Sequence, residues 1–338
     1  MSIKHYPWQE SLWTTLDAMQ ERLPHALLLH GRPGIGKFDF AKAFAISLLC
    51  ENRTLERLAC GSCPACTWFL AGNHPDFRLI QPEIMSSGLE EGEATDAGEE
   101  PKKKASKLIK IEQIRLLSDF LNVGSHRQGR RVVLIFPAES MNAGAANALL
   151  KNLEEPGAGV IFILVSHEPG RLLPTVRSRC QSMALATPPL DLSVQWLKKA
   201  GARVSPALLA YSGNAPLAAL ALSESELEGR DRLYALLSQP ETPALKLADA
   251  CQSVPPVSVV DWMLKWTYDM VALGSGAAVR YNIDRVEVLA RLVRGVSVRA
   301  LQRYFGALCA LRAISEHPLN PRLFFDDLFI EYKEIRHS

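Results

Sequence analysis

The chain has 338 residues, 48% hydrophobic and 22% charged, with a net charge of +2; that length suits two or three globular domains and excludes a disordered or fibrous chain. A balance this close to neutral gives no footprint for wholesale nucleic-acid wrapping. No apolar run is long enough to span a bilayer and the opening MSIKHYPWQE lacks the apolar centre of a signal peptide, which predicts a cytoplasmic protein whose seven cysteines stay reduced, so that a cluster of them points to metal.

HALLLHG (25–31) predicts a short buried strand, and FDFAKAFAISLL (38–49) predicts a helix with an apolar stripe. Between them Gly31, Gly36 and Lys37 fit the phosphate-binding pattern G-x-x-x-x-G-K-[ST]. In that pattern main-chain N–H groups cradle phosphates and the lysine reaches the terminal ones. The order strand, loop, helix is the context such a loop requires. Its last position, where a Ser or Thr hydroxyl would ligate Mg²⁺, holds Phe38, and a benzyl group offers a hard cation no oxygen.

Cys50, Cys60, Cys63 and Cys66 follow with the spacing C-x9-C-x2-C-x2-C, Gly61 and Pro64 reading as tight turns between them. Four thiolates suit tetrahedral Zn²⁺, and a site with four protein ligands has no open position for catalysis, so the predicted role is structural. Cys180, Cys251 and Cys309 stand alone and read as small buried apolar residues.

PDFRLI (75–80), RVVLIF (131–136) and VIFILVS (160–166) predict further buried strands, separated by helical patterns at 111–121 and 143–153. Continuous apolar strands alternating with helices imply a parallel sheet covered on both faces, an α/β domain over residues 1–186. Within it, 83–107 runs acidic and then basic with almost no large apolar residues, which predicts a flexible insertion whose lysines form a solvated tether. Pro188 and Pro189 mark a boundary. Beyond it, 187–225 predicts a small helical domain broken at Gly201 and 212–216, and 226–338 predicts an all-α domain with Trp262, Trp266 and Tyr268 in its core.

A nucleotide hydrolase also needs an apolar strand ending in Asp-Glu, the Asp for the Mg²⁺ shell and the Glu for the attacking water. RVVLIF runs instead into Phe136, Pro137, Ala138 and Glu139, so Glu139 could serve only by a two-residue slip. NALLKNLEEP (147–156) and FILVSHEPGRLLPTVRSRC (162–180), with the loop, the cysteine module and GNHPDF (72–77), resemble the bacterial clamp-loader branch of the AAA+ family over roughly residues 20–222. The resemblance places the family's acidic pair on Phe136 and Pro137. It places on Pro216 the arginine with which ATP-hydrolysing members sense the γ-phosphate, and proline has neither charge nor donor. Together with Phe38, these departures resemble the non-hydrolysing side of the family. Arg179 in SRC is retained, and in the family this arginine reaches across a subunit interface to a neighbour's ATP; Arg177 is its nearest competitor.

The resemblance therefore implies a degenerate P-loop (AAA+-like) parallel-sheet domain, a small helical lid and an all-α collar domain in a hetero-oligomeric ring. The implied partners are gamma/tau-type ATPase subunits and a delta subunit, with the sliding clamp and primed DNA met through the complex and no membrane. Structural Zn²⁺ on the cysteines and no functional MgATP site complete the expectation. Two other readings stand beside it. One is an active gamma/tau-type ATPase with Lys37 on MgATP and Glu139 acting by register slip. The other is a zinc-dependent DNA-binding module, for which Arg53, Arg57, Trp68 and Phe69 are the basic and aromatic residues near the cysteines.

Overall fold

The three central strands of the sheet form from nearly continuous apolar runs, because both of their faces are covered by helices. The computed structural model describes residues 4–86, 105–122, 129–202, 204–315 and 320–335. Most of the predicted 83–107 insertion, from 87 to 104, lies outside the described residues. The chain divides into two compact units, residues 1–192 and 193–338. No helix among the described residues is long and apolar enough to cross a membrane.

In the first unit the elements follow as α1 (Glu10–Ala18), β1 (Ala26–His30), α2 (Lys37–Leu49), α3 (Pro64–Leu70), β2 (Phe77–Ile80), α4 (Glu83–Ser86), α5 (Ile111–Asn122), β3 (Arg131–Ile135), α6 (Ala143–Glu154), β4 (Val160–Ser166), α7 (Pro174–Arg177) and β5 (Gln181–Ala184). The five strands lie in the order β2-β3-β4-β1-β5, all parallel. This is the parallel P-loop architecture the sequence predicts. Successive side chains on a strand face opposite sides. Leu28, Val133, Ile135, Phe162 and Leu164 therefore share one face, packed with Ile114 and Leu117 of α5, Leu149 and Leu153 of α6 and Val176 of α7. The other face carries α2, against β1, β3 and β4, where Trp13 of α1 meets Phe40 and Phe44 edge-on with ring centroids 5.8 and 5.9 Å apart.

Register sets the site. His30 pairs with Ser166 at the carboxyl ends of β1 and β4, and Ile135 pairs with Leu164 on the next strand. The glycine loop after β1, Phe136 after β3 and His167 after β4 thus meet at one edge, the edge at which open α/β sheets bind their ligands.

Three expectations need correction here. Pro64 is not a turn between ligands: it opens α3 at its first position, with Cys63 as the cap, where a missing N–H costs nothing. The start of the expected flexible insertion is ordered, because α4 is helical and is stitched to the far side. Ile84 donates from its main chain to Ser106 O at 3.2 Å. Glu83 accepts from Ser106 N at 3.0 Å and from Lys110 Nζ at 2.8 Å. The strand predicted as buried over 75–80 begins only at Phe77, because the residues before it turn on His74, whose Nδ1 accepts from Asp76 N at 3.0 Å and whose O accepts from Phe77 N at 3.2 Å, and as an edge strand it is fully buried only at Ile80.

The rest of the chain is helical: α8 (Leu190–Lys199), α9 (Pro206–Tyr211), α10 (Pro216–Ala221), α11 (Glu224–Leu237), α12 (Ala244–Cys251), α13 (Pro256–Gly274), α14 (Val286–Val293), α15 (Val298–Ile314) and α16 (Pro321–Glu334). Leu197, Leu209 and Ala219 form a small core of their own. A larger core gathers Tyr234, Trp262, Trp266, Leu301, Phe325 and Phe329. Trp262 and Trp266 are buried as expected, but Tyr268 is exposed, on the outer side of α13 with the rings of Tyr281 and Phe305. Cys180 and Cys251 are buried, whereas Cys309 is exposed on α15.

The turn between α13 and α14 is organised by one buried carboxylate. Asp269 accepts from the main-chain N–H groups of Arg280 (2.8 Å), Tyr281 (3.2 Å) and Asn282 (2.7 Å), and from the Asn282 amide at 2.8 Å. Asp269→Ala strands those donors, and each buried donor left unmatched costs about 1–3 kcal/mol. We expect a loss of about 3 kcal/mol or more, read as a lower urea midpoint. An unchanged midpoint would show that this turn does not depend on the carboxylate.

Candidate functional site

The loop between β1 and α2 is held by its glycines and its lysine. Gly36 takes φ 79° at the start of α2, a left-handed conformation that favours glycine. A Cβ on it would collide with the Tyr6 ring. Lys37, the loop's lysine, is buried. Its Nζ donates to Gly31 O and Arg32 O, each at 2.6 Å, and lies 2.7 Å from His167 Nδ1. An ammonium has no lone pair, so the imidazole nitrogen accepts and His167 is neutral. Burial, and then the charge of Lys37, hold the His167 pKa below its ordinary value. Burial likewise pushes the lysine down to about 8, with Glu139 pulling the other way.

At Phe38 and after β3, where the sequence pattern expects oxygen ligands for Mg²⁺, the chain supplies carbon. Phe38 and Phe136 stack with centroids 4.4 Å apart and planes 21° from parallel, a pairing worth about 0.5–1.5 kcal/mol beyond its buried area. Phe136 also meets His167 edge-on at 5.5 Å, and Lys42 Nζ sits 4.3 Å above the Phe38 ring. Glu139, four residues past the end of β3, is drawn to the end of β4. Its Oε1 accepts from His167 N at 2.9 Å, and its Oε2 is buried with no hydrogen-bond partner. Residues 6–9 cross the loop from outside. Gln9 Nε2 donates to Ile35 O at 2.9 Å and Gly36 O at 3.0 Å, Trp8 Nε1 donates to Ile35 O at 3.0 Å, and Tyr6 OH donates to Asp39 at 3.1 Å.

Arg179 lies apart from this loop, two residues beyond α7. Its Nη2 is 2.5 Å from Glu154 Oε1 at the end of α6, and its Nη1 donates to Thr175 O at 2.9 Å. Arg177 is exposed and reaches Pro169 O at 3.4 Å. Pro216 opens α10 and is buried.

The cysteines are brought together. All four sulfurs lie within 4.8 Å of one another, with Cys50–Cys63 and Cys60–Cys66 at 3.9 Å. A tetrahedron of ~2.3 Å Zn–S bonds separates its sulfurs by roughly 3.8 Å, so the donor set can hold such an ion. Main-chain N–H groups already point at the sulfurs: Cys60 N lies 3.3 Å from Cys50 Sγ, Cys63 N 3.3 Å from Cys60 Sγ and Cys66 N 3.5 Å from Cys63 Sγ. Such donors favour thiolates and orient them toward a metal. The cluster joins the end of α2 to α3, whose Phe69 packs on Phe77 of the edge strand at 4.4 Å.

A family model described as DNA polymerase III, delta subunit, matches residues 8–189, and one described as DNA polymerase III, delta subunit, C terminal, matches residues 226–334. The DNA polymerase III subunit delta' of Escherichia coli (strain K12) is 32% identical over 340 residues, covering 97% of this chain and 95% of that one. The chain belongs to the DNA polymerase III delta' family. The delta' protein of Pseudomonas aeruginosa is 39% identical over 271 residues, 78% of this chain and 76% of that protein. The DNA polymerase III subunit tau of Bacillus subtilis is 31% identical over 175 residues, 51% of this chain and 27% of the longer protein.

In this delta' family chain, sequence reasoning singled out the glycine loop, Phe136 and Pro137 at the positions of the acidic pair, and the cysteines, but not the groups that pack into the loop. His167 stands in SHEPGR, 130 residues from Lys37, and only parallel pairing of β1 with β4 brings the two together. Tyr6 and Gln9 stand in a segment with no motif. Glu154 could have been flagged, because NLEEP ends a helix and SRC follows a short one.

Proposed function

We propose that this chain is the non-hydrolysing delta' subunit of a DNA polymerase III clamp loader, completing a ring of ATPase subunits and lending Arg179 to a neighbour's ATP. The commitment of Lys37 carries this reading. An ammonium has three hydrogens, and Gly31 O, Arg32 O and His167 Nδ1 take all of them from within the buried loop, so a phosphate would have to displace one of these partners. The Phe38–Phe136 stack adds support by putting carbon where Mg²⁺ needs oxygen. Residues 1–186 serve as the degenerate ATPase domain, 187–225 as the lid and 226–338 as the collar that joins the other subunits. Those partners are gamma/tau-type ATPase subunits and delta, with the sliding clamp and primed DNA met through the complex in the cytoplasm. Cys50, Cys60, Cys63 and Cys66 would hold a structural Zn²⁺, which cross-links the end of α2 to α3 and takes no part in chemistry.

Lys37→Ala tests the central claim. In the assembled complex it should leave ATP hydrolysis unchanged, and the isolated wild-type protein should show no Mg²⁺-dependent nucleotide binding on titration. The same substitution should lower the subunit's own stability by about 1.5–3 kcal/mol, the worth of hydrogen bonds to a charged group. Collapse of hydrolysis in the complex would assign the chain to the active gamma/tau type instead.

A further inference from the structure

Arg179 is held in cis. Its Nη2 lies 2.5 Å from Glu154 Oε1, its Nη1 donates to Thr175 O at 2.9 Å and approaches Ser178 Oγ at 3.5 Å. Side-chain exposures of 34% for Arg179 and 50% for Glu154 leave the pair within reach of a neighbouring molecule. A guanidinium grips phosphate through a fork of two N–H groups, and here both terminal nitrogens are already committed. A phosphate oxygen approaching Nη2 would also meet the Glu154 carboxylate, a like charge. The guanidinium can satisfy the carboxylate or the phosphate through that edge, not both. Arg177, two residues earlier, meets a main-chain carbonyl and no carboxylate among the described residues.

We propose that Glu154 is a parking carboxylate for Arg179: it holds the guanidinium within its own subunit until a neighbour's phosphate displaces it. This rests on the reading of Arg179 as a finger acting in trans. Glu154 touches no phosphate, so it acts through Arg179 and sets how much of the time the finger is free. An ion pair this exposed is soft, which suits a latch that must open whenever the ring closes. Its strength corresponds to a bias of up to about fivefold, the upper end for measured exposed pairs.

The test uses the full reconstituted complex, with ATP hydrolysis measured alone and in the presence of clamp and primed DNA. Glu154→Gln keeps the side chain's shape and removes its charge. It should leave assembly and melting temperature unchanged and raise unstimulated hydrolysis by up to about fivefold. The stimulated rate should stay the same, so the stimulation ratio falls by the same factor. A merely structural residue would move both rates together. Adding Arg179→Ala to Glu154→Gln should erase the gain. An unstimulated rate unchanged by Glu154→Gln, or a fall in both rates, overturns the latch while leaving the finger in place. If Arg179→Ala alone changes neither rate, the finger itself is wrong and the latch falls with it.

Discussion

Protein prepared without chelator should carry about one zinc ion per chain, as four cysteine ligands require, and Cys63→Ser should release it. Cys63 is the ligand with the most structural duties. It caps α3, accepts from Cys66 N and stands 3.9 Å from Cys50 at the end of α2. Removing its thiolate opens a closed site to three ligands and loses the join between the helices. Structural zinc in small domains is worth about 10–16 kcal/mol and is coupled to folding. The loss here should be confined to the module, because the sheet beneath has its own core. Metal analysis should therefore fall to near zero while limited proteolysis gains cuts between residues 50 and 70. Cys251→Ser, in the helical unit, is the control and should keep its metal. Metal-free wild-type protein with the module fully protected would sink the assignment.

Arg179→Ala should leave the subunit folded and able to assemble, yet lower clamp- and DNA-stimulated hydrolysis at the neighbouring site by about 10³-fold or more, the range for an arginine supplied in trans. The residue's own fold depends little on it, since the pair with Glu154 is partly exposed and such pairs contribute little. Arg179→Lys should not rescue, because an ammonium cannot reproduce the planar fork that bridges two phosphate oxygens. Clamp loading should fall with hydrolysis. Arg177→Ala is the necessary comparison: loss of activity there, with the Arg179 variants intact, moves the finger two residues upstream. If neither matters, the subunit is a passive brace.

The parts of the fold written as local pattern were legible. VIFILVS is apolar up to its final Ser166 and buried throughout, and the helix after the glycine loop ends at Leu49 as its stripe predicts. The last strand was harder, since Gln181–Ala184 is short and mostly exposed at the edge of the sheet, with no apolar run to announce it. Tyr268 was misjudged because a long apolar helix such as α13 still has an outer side. In the site, what the sequence lost could be read from substitutions at single positions. What replaced it could not. The stack of Phe38 on Phe136 and the bond from Lys37 to His167 join residues about a hundred positions apart, and only the strand order brings them together.

The stitch between α4 and the segment before α5 has a practical consequence. Ile84, Glu83, Ser106 and Lys110 fix the points where the chain leaves and rejoins the domain, so the β2 edge does not depend on how many residues run between them. Lengthening a stretch of chain between two fixed points is cheap, about 0.6 kcal/mol per doubling when it is flexible. A peptide tag or a fluorescent domain spliced in near residue 95 should therefore leave the sheet, the cysteine module and Arg179 undisturbed, giving a handle for watching this subunit enter and leave its complex.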